Sequence, residues 1–270
     1  MSNRSKATRT AGPKLLQSVR RRKLPILALL AIAVPAMAVA GFLVFYDGAD
    51  GPPRALIIDQ LSLTQPNPAF QAEATTMLND AGYEVDYVPG EEATIALYRG
   101  LPSYGYDFIF FRAHAGRLME DGEFTEFTYL FTAEPYTPLK YVEEQFDGLL
   151  KVVAYSPEAY LDGEAFFGIP GAFVTDAMEG DFGGATVVLM GCDILRAEEM
   201  AEAFVEKGAG AVVGWDEAVS AAHTDAATLN LLRRILDGET SVQAATAATM
   251  EELGPDPYYD AVMVAYPPEE

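Results

Sequence analysis

The feature that most constrains the fold is a regular alternation of apolar, strand-like runs with segments whose apolar residues recur at helical spacing. Strands are predicted, in chain order, at residues 54–59, 83–88, 106–114, 185–192, 209–215 and 261–266. Helices are predicted at about 69–81, 91–99, 197–207, 224–237 and 241–253. Strands and helices that alternate through short connections predict an α/β fold, in which a mostly parallel central sheet is covered by helices on both faces.

The stretch from residue 117 to residue 184 breaks this alternation. It is rich in Phe, Tyr, Gly and Pro, and only short strands are predicted within it, around 127–131 and 150–155. A chain of 270 residues is long enough for one domain of a little over 200 residues and a separate leading segment. We therefore predict a domain at 54–270 with an irregular insertion at 117–184, after a linker at 47–53.

The first fifth of the chain differs in kind from the rest. Residues 1–23 contain eight basic residues and no acidic one, and residues 24–46 contain no charged residue. At roughly 1.5 Å per helical residue, this apolar segment covers about 34 Å, which exceeds a hydrocarbon core of about 30 Å. We predict a single transmembrane anchor at 24–46, with the basic tail in the cytoplasm and the domain outside.

A cleaved signal peptide is the alternative interpretation of the same segment. The small-residue patterns Ala36-Met37-Ala38 and Ala38-Val39-Ala40 both resemble cleavage sites. The apolar run nevertheless continues to Tyr46, which a spanning helix needs and a signal peptide does not. The anchor is therefore favoured, and both interpretations place the domain outside the cytosol, as a membrane protein or as a secreted one.

The charge of the chain is strongly asymmetric. Once the eight basic residues of the N-terminal tail are set aside, ten Lys and Arg remain against 40 Asp and Glu, a net charge of about −30. Nucleic acids and anionic membrane surfaces are therefore excluded as favourable partners of the domain. The acidic surface is explained either by solubility or by attraction of cationic peptides.

Two residues of chemical interest follow apolar strands. His114 ends the run that begins at Phe108, and Cys192, the one cysteine, ends the run that begins at Val187. Because the carboxyl ends of parallel strands share one edge of a sheet, both are expected at the same rim. A thiol attacks a carbonyl as the thiolate, and a nearby imidazole can take its proton. The pattern predicts Cys192 as a nucleophile and His114 as its base; the alternatives are an inert buried cysteine and a hydrogen-bonded loop histidine.

Acyl transfer from a peptide would also need backbone N–H donors for the oxyanion of the tetrahedral intermediate. The candidates are the amides of Cys192, Ala115 and Gly116, because they adjoin the two reactive side chains and glycine permits close approach. A thiol next to Asp193 has a raised pKa unless that carboxylate faces away.

Four further residues are candidates for a substrate pocket. Trp215, Asp216 and Glu217 follow the strand at 209–215, and His223 precedes a helix. The two acidic residues would favour a Lys or Arg side chain in the substrate. The alternative for Trp215, Asp216 and Glu217 is an aromatic lid with two solvated charges. The alternative for His223 is a place in a helix start that capping alone explains. The histidines and the cysteine lack the spacing of metal ligands, so we expect neither a metal nor another cofactor.

These residues resemble those of the caspase-like cysteine peptidases, the clan that contains caspases, legumains, gingipains, separases and CHAT-domain proteins. The resemblance is carried by an apolar strand that ends in His114 and Gly116 and a later apolar strand that ends in Cys192. The segments at 201–215 and 225–244 are similar to the CHAT and gingipain branch. The resemblance spans roughly residues 54–266 and implies a caspase-like three-layer sandwich, with His114 as base and Cys192 as nucleophile in peptide-bond hydrolysis.

Three functions are compatible with these features. The first is a membrane-anchored, extracytosolic cysteine endopeptidase whose partner is a peptide or protein substrate. The second is a catalytically silent caspase-like module that binds peptides or partners in the cell envelope. The third is an α/β hydrolase or transferase that acts on another acyl substrate.

Overall fold

The computed structural model describes residues 51–120, 123–238 and 241–269. They belong to one compact unit, Phe45–Glu270. The predicted membrane anchor at 24–46 lies outside the described residues. Among the residues that are described, no helix is long and apolar enough to cross a membrane.

The described chain contains ten strands and eight α-helices, together with short 3-10 turns. The strands are β1 (Arg54–Asp59), β2 (Glu84–Pro89), β3 (Phe108–Phe111), β4 (Ala115–Glu120), β5 (Glu123–Pro135), β6 (Lys151–Val153), β7 (Phe166–Ile169), β8 (Thr186–Leu189), β9 (Ala211–Trp215) and β10 (Met263–Tyr266). The helices are α1 (Pro68–Asp80), α2 (Ile95–Gly100), α3 (Val142–Phe146), α4 (Pro157–Leu161), α5 (Gly171–Asp176), α6 (Glu199–Glu206), α7 (Ala221–Leu236) and α8 (Val242–Leu253).

The central sheet has six strands in the order β10-β9-β8-β3-β1-β2. Its neighbouring strands pair in parallel from β9 to β2, and β10 pairs with β9 in the antiparallel direction. The predicted α/β architecture with a mostly parallel central sheet is therefore confirmed. The antiparallel edge strand follows from a short return of the chain after α8.

Apolar side chains cover both faces of this sheet, because successive residues of a strand point to opposite sides. In β1, Leu56 and Ile58 belong to one buried cluster, while Ala55 and Ile57 belong to the other. The first cluster includes buried residues of α2, α5 and α6, and the second includes buried residues of α1, α7 and α8. Helices thus bury both faces of the sheet, which explains why its strands are nearly continuous apolar runs.

The segment at 117–184 differs from the predicted irregular insertion. It contributes most of a second, antiparallel sheet with the strand order β4-β5-β7-β6, and it contains the three short helices α3 to α5. The long strand β5 is buried on successive residues, from Tyr129 through Leu130 and Phe131 to Thr132. Such a strand lacks the strict polar and apolar alternation of a half-buried strand, so its full length was not predicted.

Helix α7 begins at Ala221, three residues before the predicted start at Thr224. The Thr224 hydroxyl does not cap the helix. It accepts a hydrogen bond from Trp215 Nε1 at 2.9 Å and lies 3.3 Å from the carbonyl oxygen of Met190, to which it donates. Thr224 is therefore a buried link between the helix and two strand ends of the central sheet.

Candidate active site

His114 and Cys192 lie at the same edge of the central sheet. Phe111 of β3 and Leu189 of β8 are direct partners in a parallel pair, and each reactive residue follows its partner residue by three positions. Neighbouring strands in a sheet lie about 4.8 Å apart. The register therefore brings the two loops side by side at the carboxyl edge, although 77 residues separate them in the chain.

A glycine allows these two loops to touch. A Cβ atom added at Gly191 would lie 2.6 Å from Ala115 Cβ, 2.8 Å from the carbonyl oxygen of Ala113 and 2.9 Å from the amide nitrogen of Ala115. Side-chain atoms essentially never approach backbone this closely, so any other residue at 191 would push the loops apart. The absence of a side chain at Gly191 thus keeps the cysteine loop against the histidine loop.

The two reactive residues line one cavity of about 460 Å³. The loop after β1 contributes Leu61 and Gln65, and the start of α7 contributes residues 219–222 and Thr224. Tyr259, from the loop before β10, completes the lining. A volume of this size falls within the range of about 300–1,000 Å³ that is typical of small-molecule and cofactor sites.

The imidazole of His114 is held by the loop that follows β1. Its Nε2 atom lies 2.7 Å from Thr64 Oγ1, and its backbone amide donates to Gln60 Oε1 at 2.9 Å. The amide group of Gln60 also donates to Tyr155 Oη at 3.0 Å, and the Tyr155 ring packs against the imidazole with centroids 4.8 Å apart. Gln60 is fully buried, so the ring and its backbone are oriented by a rigid support.

The contact with Thr64 fits either neutral tautomer of His114, because each of the two groups can be the donor. The Thr64 hydroxyl has a backbone acceptor of its own, the carbonyl oxygen of Leu61 at 3.4 Å. When the hydroxyl donates there, its oxygen accepts from the Nε2–H of His114, and the lone pair is on Nδ1. This tautomer leaves Nδ1 free to accept a proton from a thiol.

Burial keeps the imidazole neutral. The low-polarity surroundings, together with the nearby charge of Arg112, lower the pKa of His114 to about 4. At neutral pH His114 is therefore an unprotonated base rather than the cationic partner of a thiolate.

This shift predicts a dependence of stability on pH. The unfolded chain, in which a histidine has a pKa of about 6.5, binds more protons than the folded chain between pH 6.5 and 4. We expect the free energy of unfolding to fall by about 1–3 kcal/mol as the pH decreases through this window. Urea unfolding at a series of pH values measures it, and the His114→Gln variant should lose this part of the decrease. An unchanged pH profile in that variant would show that His114 titrates normally.

The Cys192 thiol is partly buried and bonded to one backbone segment. Its Sγ atom lies 3.5 Å from the amide nitrogen of Val219 and 3.6 Å from the carbonyl oxygen of the same residue. Burial raises the pKa of the Cys192 thiol; the Val219 amide opposes this, while the charges of Asp193 and Asp256 add to it. The resting thiol is therefore protonated, and proton removal has to accompany its attack on a carbonyl.

The Asp193 carboxylate lies against two arginines, although its charge still acts to raise the pKa of the Cys192 thiol. The residue has a left-handed backbone conformation, with φ of 55°, and its carboxylate pairs with Arg117 at 3.4 Å. Arg196 lies 3.9 Å from the same oxygen. The turn therefore directs the acidic neighbour of Cys192 towards two arginines.

The two candidate oxyanion donors that follow His114 lie at the start of β4. The carbonyl oxygen of His114 accepts from the Phe131 amide at 2.9 Å, while the His114 amide donates to Gln60. Ala115 and Gly116 then pair with Leu130 and Tyr129 of β5. A Cβ atom added at Gly191 would lie 2.9 Å from the Ala115 nitrogen, so the Ala115 amide adjoins the cysteine loop.

The four residues predicted as a substrate pocket are not part of the lining of this cavity. Trp215 is fully buried beneath it. Asp216 accepts from the Val262 amide at 2.7 Å and lines a separate pocket of about 230 Å³. Glu217 forms an ion pair with Arg196.

His223 lies behind Trp215, with ring centroids 5.4 Å apart. Its Nε2 atom is buried without a hydrogen-bond partner among the described residues. In the same part of the chain, no group of three or more His, Cys, Asp and Glu side chains is arranged to hold a metal ion.

A buried ionic network supports the site from below. Arg112, fully buried, donates to Asp59 Oδ1 at 2.7 Å and to both carboxylate oxygens of Asp225 at 2.7 and 2.8 Å. It also donates to the carbonyl oxygen of Gln65 at 2.8 Å, and Asn67 donates to Asp225 at 2.8 Å. One guanidinium thus joins β1, β3, α7 and the loop before α1, two residues from His114.

Sequence reasoning missed Thr64, Gln60 and Arg112. The loop after β1 leaves the same edge of the sheet as the two reactive residues, so the rule that pointed to His114 and Cys192 applied equally to residues 60–65. Arg112 could have been found from the sequence in another way. It directly follows four apolar strand residues, and a charged side chain at such a buried position needs an oppositely charged partner.

Fold and site together define an α/β protein whose parallel sheet presents an imidazole and a thiol to one cavity at its carboxyl edge. No protein-family model matches the chain, and no curated protein matches it significantly.

Proposed function

We propose that this protein is a cysteine endopeptidase in which Cys192 is the nucleophile and His114 the general base. The observation that carries the proposal is the position of both residues three places beyond paired residues of β3 and β8, on one cavity. A nucleophile, an adjacent base and a third group that orients the base form the usual pattern of covalent acyl transfer, and here the first two line one cavity. Thr64 supplies that third group.

The reaction follows from these roles. As Cys192 Sγ forms a bond to the peptide carbonyl carbon, its proton passes to His114 Nδ1, and the amide of Ala115 donates to the oxyanion. Collapse of the tetrahedral intermediate breaks the C–N bond, and the leaving amine takes the proton from His114. Water then attacks the thioester as His114 removes its proton. The C–S bond breaks, which releases the carboxylic acid and restores the thiol.

The proposal includes a caspase-like fold and an extracytosolic position. Support for the fold comes from the order of the elements, in which a strand ending before histidine precedes a strand ending before cysteine within one parallel sheet. Support for the position comes from the sequence alone, from the basic tail at 1–23 and the uncharged segment at 24–46.

The test is cleavage of a peptide library by the full-length chain, with new termini identified by mass spectrometry. Because the chain contains one cysteine, iodoacetamide modifies Cys192 alone. We expect Cys192-dependent cleavage that stops in proportion to alkylation. Cleavage that continues after complete alkylation would contradict the proposal, as would a chain that is readily alkylated but cleaves no peptide.

Removal of the group that orients the base should slow the reaction moderately. Thr64 is exposed, so Thr64→Val should change stability by less than about 0.5 kcal/mol. Loss of one hydrogen bond, of about 1 kcal/mol, should lower kcat/KM about fivefold to tenfold. Thr64→Ser keeps the hydroxyl and is the matched control, with near-normal activity expected. Equal rates for the valine and serine variants would exclude Thr64 as the orienting group.

A catalytically silent peptide-binding module is the second candidate function. The observation that favours it is the protonated, Val219-bonded thiol beside a neutral imidazole, which is an arrangement without a preformed thiolate. In that case the Cys192→Ala variant should bind the same peptides with unchanged affinity, and no peptide should be cleaved. Turnover that depends on Cys192 would exclude this function.

A further inference from the structure

The lining of the candidate active-site cavity carries no charged side chain among the described residues. Its walls combine apolar groups, among them Leu61, Met190, Val219 and Ala222, with uncharged polar groups from Gln65, Ser220 and Thr224. This composition differs from the sequence-based expectation that Asp216 and Glu217 favour a basic side chain, because those two carboxylates lie elsewhere.

The buried charges nearest to the cavity are already satisfied. Asp256 is fully buried, and its Oδ2 atom accepts from the amide and hydroxyl of Ser220 at 2.9 and 2.6 Å. Its Oδ1 atom accepts from the amides of Tyr258 and Tyr259 at 2.8 and 3.0 Å. Burial acts to raise the pKa of Asp256, but these hydrogen bonds outweigh it and lower the pKa, so the carboxylate is ionised and its acceptors are occupied.

Beneath the cavity two carboxylates, those of Asp225 and Asp59, share the one guanidinium of Arg112. Both carboxylate oxygens of Asp225 accept from the guanidinium, and Asp59 pairs with its remaining side. A charged substrate side chain in the cavity would lose hydration without an ion-pair partner in the described lining, which costs free energy. An apolar side chain would gain from the burial of its surface.

We propose that the cavity selects an uncharged side chain on the residue that donates the scissile carbonyl. This inference rests on the proposed peptidase function, since it assigns the cavity to the residue adjacent to Cys192 and His114. The surrounding acidic surface attracts basic peptides at long range, but the pocket itself rejects a basic residue at the cleavage position.

The test compares fluorogenic peptides that differ only in the residue before the scissile bond. For the full-length chain, kcat/KM should be at least about tenfold higher with Leu or Met than with Arg, Lys, Asp or Glu at that position. The highest kcat/KM with a basic or acidic residue would overturn the inference while leaving the peptidase function intact. If no peptide is cleaved, the peptidase function fails. Protection of Cys192 from iodoacetamide by the same peptides then ranks how tightly each peptide binds in the cavity. Stronger protection by charged peptides would overturn the inference.

A designed carboxylate provides a second measurement. Ala222 is exposed at the start of α7, where an acidic residue suits the helix N-terminus, so Ala222→Asp should fold normally. It should raise kcat/KM for the Arg peptide about tenfold and lower it for the Leu peptide. Ala226→Asp, one turn further along the same helix and outside the lining, is the matched control and should leave both values unchanged. Equal effects of the two substitutions would show that Ala222 does not face the bound side chain.

Discussion

Replacing Cys192 with alanine is expected to lower the rate of peptide hydrolysis at least about a thousandfold. The substitution removes the atom that forms the covalent bond to the carbonyl, and the remaining groups only bind the peptide and stabilise its oxyanion. His114→Ala should have an effect of similar size, since the thiol is protonated at rest and requires a base. Initial rates with an aliphatic fluorogenic peptide measure both effects.

The effects of the two substitutions on the rate of hydrolysis should not be additive. Groups that act as one catalytic unit are strongly non-additive, so the double variant should be about as slow as Cys192→Ala alone. Met178→Leu is the matched control, because it alters a buried methionine outside the cavity lining at a cost of less than about 1.5 kcal/mol. A Cys192→Ala variant that keeps more than about a tenth of the activity would exclude the thiol as nucleophile.

Replacing Arg112 with methionine should destabilise the domain by about 3–5 kcal/mol. The change removes the cation from a fully buried network and leaves the carboxylates of Asp59 and Asp225 without their ionic partner. Denaturant unfolding measures the loss. Adding Asp59→Asn and Asp225→Asn to the Arg112→Met variant should recover part of it, because the uncompensated buried charges are then removed.

Arg54→Met is the matched control for this prediction. Arg54 pairs with Asp86 at 2.8 Å, but both side chains are partly exposed, so their pairing should contribute only about 0–1 kcal/mol. If the Arg112 and Arg54 variants lost equal stability, the buried network would contribute no more than a surface ion pair.

The sequence predicted the edge of the sheet at which His114 and Cys192 lie, but it did not predict which residues line the cavity beside them. His114 and Cys192 follow apolar strands, and the rule for parallel sheets applies to each of them without knowledge of any contact. The same rule could not show that Trp215 faces the core, because a strand buried on both sides contains apolar residues on either face. Nor could it separate the amide of Ala115 from that of Gly116, since this depends on the contact of the cysteine loop with Ala115.

The insertion at 117–184 shows a second limit of sequence patterns. Strand β5 pairs with β4 on one side and with β7 on the other, and its partner residues are as far apart in the chain as Leu130 and Ile169. Pairing over such separations depends on the packing of the whole subregion. A local pattern rich in aromatic residues, glycine and proline therefore indicated only short strands.

What the amino-acid sequence by itself determined is the parallel α/β core and the common edge of its two reactive residues, because apolar runs and helical spacing are local properties of the chain. Only the tertiary structure decided what these residues touch. The imidazole contacts Thr64, 50 residues earlier, and the thiol contacts Val219, 27 residues later. Contacts of this kind depend on how loops pack over a finished sheet, where the burial of both groups also shifts their pKa values.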